Sequence, residues 1–98
     1  MPENSPQGTD DRVVLVNIME EIVKLRVRES IVKLGACDCE TCYLNACALA
    51  LNTLKPQYVT TQKGALFVKI TDTELANSVN ILVAVTKAVM QVKDNPRH

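Results

Sequence analysis

The stretch Cys37–Tyr58, CDCETCYLNACALALNTLKPQY, decides how the rest of the chain is read. Its first six residues hold Cys37, Cys39 and Cys42, and Cys47 follows inside an alanine-rich run that Pro56 closes before Tyr58. Alanine and leucine favour helix and small side chains permit close backbone approach. A helix is therefore expected from Glu40 or Thr41 to about Leu54, because Pro56 disfavours helical geometry at Lys55 and forces a turn.

The cysteines stand at a metal-ligand spacing. Two thiolates separated by one or two residues can turn onto one ion, since a tetrahedral zinc holds each sulfur at about 2.3 Å and a short loop keeps the backbones close. The N-terminus of the following helix places partial positive charge at Cys39 and Cys42, which favours the thiolate. Cys47 is the harder case. On an ideal helix it points about 140° away from Cys42, whereas Asn45 is only about 60° away, and a neutral amide is a poor zinc ligand. Cys37, Cys39 and Cys42 form the expected set, with Cys47 either the fourth ligand of a closed tetrahedral site or a core thiol. Reduced cysteines without an ion and redox-active thiols are the competing readings of the same residues. Catalysis has little to draw on. The one histidine, His98, is terminal, the carboxylates are scattered over solvent faces, and no glycine loop can cradle a phosphate, so no enzyme is expected.

Upstream, Asp10 or Asp11 can cap a helix running to about Leu34. Leu15, Ile18, Met19, Ile22 and Leu25 fall at helical spacing, with Asn17, Glu21, Lys24 and Arg28 opposite. Val13, Val14, Val16, Val23 and Val27 widen the apolar arc beyond what one neighbour covers, which hints at a subunit interface. Gly35 supplies the positive φ that ends the helix. Downstream, YVTT at Tyr58–Thr61 and ALFVKI at Ala65–Ile70 flank Gly64 and read as a short hairpin. Thr71 and Glu74 have the spacing of a capping box and should open the last helix, with Leu75, Val79, Leu82, Val85, Val89 and Val92 as its buried stripe.

Residues 1–10 read as a disordered arm rich in Pro, Gly, Ser and acid, leaving 11–98 as one domain. At 98 residues, such a domain wants help from a metal or a partner subunit. With three aromatic rings in all, Tyr43, Tyr58 and Phe67, its core must be aliphatic. Net charge is zero; setting aside Glu3, Asp10 and Asp11 leaves a surplus of three bases, short of the basic stripe of a general nucleic-acid binder. No signal peptide and no membrane span are recognisable, so the chain is expected in the cytoplasm with reduced cysteines.

VNIMEEIV at Val16–Val23, CDCETC at Cys37–Cys42, ALALNTLKPQYVTT at Ala48–Thr61, Gly64 and the closing KDNPRH together resemble the late competence protein ComFB family over about residues 12–98. The chain departs from that pattern at Asn45, where an aspartate is usual, and at Lys55, where a second proline is frequent. The resemblance implies a mainly α homodimer, here of three helices with a short β-hairpin and a zinc-binding cysteine loop, the zinc being a staple. It also implies a regulatory protein of competence or motility that binds cyclic di-GMP, the alternative being a protein-interaction module with an unknown partner. A cyclic dinucleotide offers two phosphates and two guanine edges, and arginine pairs with both. Arg26, Arg28 and Arg97, with Tyr58 to stack on a base, are the candidate ligand residues.

Overall fold

The computed structural model describes residues 11–72 and 77–95. The expected arm at 1–10 lies outside them. The chain opens in a strand, β1 (Val13–Asn17), followed by α1 (Ile18–Leu34), α2 (Glu40–Leu51), β2 (Tyr58–Gln62), a single 3-10 turn at Lys63–Ala65, α3 (Leu66–Asp72) and α4 (Val79–Asp94). Among the described residues the fold is mainly helical, with four α-helices and a two-stranded antiparallel sheet, one helix more than expected.

The expected helix start at Asp10 or Asp11 is replaced by β1. The four consecutive apolar residues Val13–Val16 fit a strand as well as a wide helical arc, and three of them are β-branched. Val14 and Val16 are half-buried while Val13 and Leu15 face outward, the alternation of a strand. Asn17 then serves as N-cap of α1, its Oδ1 accepting the Met19 N–H at 3.2 Å.

The expected hairpin between Tyr58–Thr61 and Ala65–Ile70 does not form. β2 pairs instead with β1, in a register running from Val13 opposite Gln62 to Asn17 opposite Tyr58. Backbone bonds from Lys63 N–H to the Arg12 carbonyl and from Ile18 N–H to the Gln57 carbonyl, both 2.7 Å, extend the ladder at each end. Gly64 makes no positive-φ reversal, and Leu66–Asp72 turns into α3, which buries Ile70 against the core. A tertiary contact outweighs the local β preference of LFVKI.

The last helix opens at Ser78, whose Oγ accepts the Asn80 N–H at 3.2 Å, and not at the Thr71 capping box. Thr71 belongs to α3 and donates its hydroxyl to the Phe67 carbonyl at 2.9 Å; Thr73, Glu74 and Leu75 lie outside the described residues. The buried stripe of α4 is Ile81, Val85, Ala88, Val89 and Val92, while Val79 and Leu82 are exposed. On a helix Val79 points about 120° from Val85, whereas Ile81 is only about 40° away.

The core is the meeting of α1, α2 and α4. α1 contributes Ile18, Met19, Ile22, Val23, Val27 and Ile31, and α2 contributes Cys42, Tyr43, Ala46, Cys47 and Ala50. Tyr43 is the one aromatic side chain in this otherwise aliphatic interior. Full burial of a side chain such as Ile22 is worth about 1.5–3 kcal/mol, and the alanines of α2 let three helices converge without large rings.

Candidate metal centre and ligand cavity

α1 ends where the sequence places its stop. Gly35 sits at φ 65° and ψ 34° in the left-handed region. The Ala36 N–H donates to the Ile31 carbonyl at 3.0 Å, so the last turn is closed and the chain doubles back. That reversal delivers residues 36–39 to the start of α2. Cys39 is the N-cap of α2, its Sγ accepting the Cys42 N–H at 3.4 Å.

Three sulfurs meet at this joint. The Sγ atoms of Cys37, Cys39 and Cys42 all lie within 4.8 Å of one another, the first two residues half-buried and Cys42 buried. The hydrogen bond from the Cys42 N–H holds the Cys39 thiol below its usual pKa. Burial, and the sulfurs of Cys39 and Cys37, push the Cys42 thiol up to about 12. One thiolate at Cys39 is favoured and a second beside it is opposed. A cation at the centre removes that opposition, since a nearby positive charge favours every thiolate that faces it. Sulfurs tetrahedrally bound at 2.3 Å stand about 3.8 Å apart, so the triad needs only a modest contraction to hold one ion.

Cys47 stands outside this cluster. It is buried one turn along α2 from Tyr43, and burial pushes its thiol up. Arg28 lies over the Tyr43 ring, its guanidinium carbon 3.7 Å from the centroid, and its Nη2 lies 4.0 Å from Glu40 Oε1.

Among the described residues, Arg26 and Arg28 do not share one face of α1. Arg26 Nη1 pairs with Glu29 at 2.9 Å and its Nη2 reaches Asn77 Oδ1 at 3.4 Å. Two residues apart on α1, Arg26 and Arg28 point about 160° from each other. Tyr58 is 65% exposed at the start of β2, opposite Asn17 at the far end of α1. Arg97 lies outside the described residues.

A cavity of about 580 Å³ opens elsewhere, between the α2–β2 connection and the first turns of α4. Lys55, Gln57, Ser78, Asn80 and Lys87 supply its polar lining, and Met19, Ile81 and Ala84 are among its apolar walls. In the sequence Lys55 reads only as part of the turn before Pro56. Nothing local signals that residues 32 positions apart in the sequence share a pocket.

The late competence development protein ComFB family model matches residues 16–96. The chain belongs to the ComFB family. A solved structure, that of the late competence protein ComFB from Bacillus subtilis, matches with a TM-score of 0.67 and 26% identity, over 86% of this chain and 96% of that one. No curated protein matches the chain. The ComFB match runs from the end of β1 through the cysteine joint and the whole of α4. Among the described residues no helix is long and apolar enough to cross a membrane.

Proposed function

We propose that this ComFB-family chain is a non-enzymatic regulatory binding protein, working as a homodimer, with a structural zinc at Cys37, Cys39 and Cys42 and cyclic di-GMP as its ligand. The observation that carries the reading is the sulfur triad at the joint of α1 and α2, with all three Sγ atoms within 4.8 Å. Bound there, zinc supplies a cross-link between the two helices and no chemistry of reaction. Cys39 orients the site through its bond from the Cys42 N–H, and Gly35 turns the chain so that Cys37 faces it.

A closed tetrahedral site takes one donor more. Lys93 Nζ donates to the Leu34 carbonyl at 2.8 Å, which brings the end of α4 to the end of α1 and to the cysteine loop. The fourth donor would come from beyond the triad, Cys47 being buried outside it. Support for a homodimer comes from outward-facing apolar side chains, including Val13 and Leu15, each 69% exposed on β1, and Val79 on α4. Arg26 and Arg28 would serve one nucleotide only if two copies brought them together, which suits a two-fold ligand at a two-fold interface.

Melting the zinc-loaded protein against increasing cyclic di-GMP tests the reading, because a ligand that binds only the folded state raises the melting temperature with concentration. A rising melting temperature supports it. No shift at saturating nucleotide favours the protein-interaction module.

A further inference from the structure

We propose that the cavity between the α2–β2 connection and the N-terminal end of α4 is a binding site for a small phosphate-bearing ligand. Its volume of about 580 Å³ falls in the range of pre-formed small-molecule sites, about 300–1,000 Å³. Among the described residues that line it, the charged side chains are Lys55 and Lys87, and none is a carboxylate. These two side chains give the described lining a positive character. Lys55 and Lys87 approach from different elements, the first from the connection before β2 and the second from the third turn of α4. Ser78, Asn80 and Ile81 of the lining place the cavity at the N-terminal end of α4, where the positive end of a 16-residue helix dipole adds to that character.

The remaining lining is what such a ligand's other parts need. Thr53, Gln57, Ser78 and Asn80 offer uncharged donors and acceptors, and Met19, Ile81 and Ala84 give an apolar wall. The cavity is therefore mixed, a positive pole for phosphate beside neutral hydrogen-bonding groups and an apolar surface for an organic portion. An inorganic anion alone would use only the first of these. Cationic and purely apolar ligands are disfavoured by the two lysines. The inference goes beyond the cyclic di-GMP reading, since it holds for any small phosphate ester and uses none of Arg26, Arg28 or Tyr58.

The test is amide chemical-shift mapping of the zinc-loaded full chain with three probes in turn: cyclic di-GMP, GMP and inorganic pyrophosphate. The site predicts shifts at Gln57, Asn80 and Ala84 with at least one probe, and a dissociation constant raised at least tenfold in the Lys55→Gln, Lys87→Gln double variant. Both lysines are exposed, so the variant keeps its melting temperature and zinc content, which confirms that the loss is local. No shift at these amides with any probe at millimolar concentration overturns the site, as does undiminished affinity in the double variant. Cyclic di-GMP moving only residues around Arg26, Arg28 and Tyr58 overturns the cavity and leaves the proposed function standing. GMP or pyrophosphate binding in the cavity without cyclic di-GMP supports the cavity and removes cyclic di-GMP as the ligand.

Discussion

The two ends of α1 are held by different chemistry. At the N-terminal end a β ladder of five residue pairs and a single amide fix the helix. Asn17 Oδ1 accepts from Met19 N–H at 3.2 Å and from Gln57 N–H at 2.8 Å, so one atom caps the helix and ties it to the segment before β2. At the C-terminal end a left-handed glycine reverses the chain, and three thiols gather where α2 begins. The ribbon end is made of distributed backbone bonds, each worth about 0.5–1.5 kcal/mol net. With the proposed zinc bound, the cysteine end would concentrate its stabilisation in one centre, so removing that centre should cost more than any single change at the ribbon.

The largest expected effect breaks the comparison at the cysteine end. Stripping the metal with a chelator, or replacing Cys39 and Cys42 by serine, should lower the melting temperature by on the order of 10 °C or more, because metal binding to a folded-state site is folding free energy. An unchanged melting curve would show that the three helices hold the joint without an ion.

Next in size is the amide at the ribbon end. Asn17→Ala removes both bonds and should cost about 1–2 kcal/mol in a denaturant titration. Asn17→Asp keeps an acceptor for both N–H groups and adds negative charge at a helix N-terminus, so it should be close to neutral or slightly stabilising. Equal losses in the two variants would mean that the side chain acts through something other than its acceptor oxygen.

Gly35→Ala sharpens the contrast within the cysteine end itself. A Cβ at Gly35 would meet nothing within 4 Å, so the cost is that of the left-handed backbone alone, about 1–2 kcal/mol. Zinc should partly mask it by holding the loop. A larger penalty in the metal-free than in the zinc-loaded protein is the expected result. The smallest effect falls on Arg28→Gln, which loses the contact over Tyr43 and should cost about 0.5–1 kcal/mol by the same denaturant titration. A loss well above that would assign Arg28 a larger part in joining α1 to α2.

The same contrast explains what could be read from the residues. The cysteine end was legible because its signals are local: thiols two and three residues apart, a glycine two residues before the first, and an alanine-rich helix after the last. The gathering of Cys37, Cys39 and Cys42 follows from that spacing. The ribbon end was not, because Val13 and its partner Gln62 are 49 residues apart and the valines of β1 satisfy a helical arc as readily as a strand. Asn17, placed on a solvent face, turned out to be the hinge between ribbon and helix. The β-prone LFVKI became helix once Ile70 found the core, and the capping box at Thr71 lost to Ser78. The site shows the same divide. Residues adjacent in sequence were brought together, whereas Arg26, Arg28 and Tyr58 were not, and the pocket of Lys55 and Lys87 exists only through tertiary packing.

Counting zinc per chain in the purified protein, beside the Cys39→Ser and Cys47→Ser variants, tests the metal centre most directly. One zinc per chain in the parent, lost with Cys39 and retained without Cys47, is the predicted result. A metal-free parent of full stability, or a zinc that departs with Cys47 and survives the loss of Cys39, would contradict it.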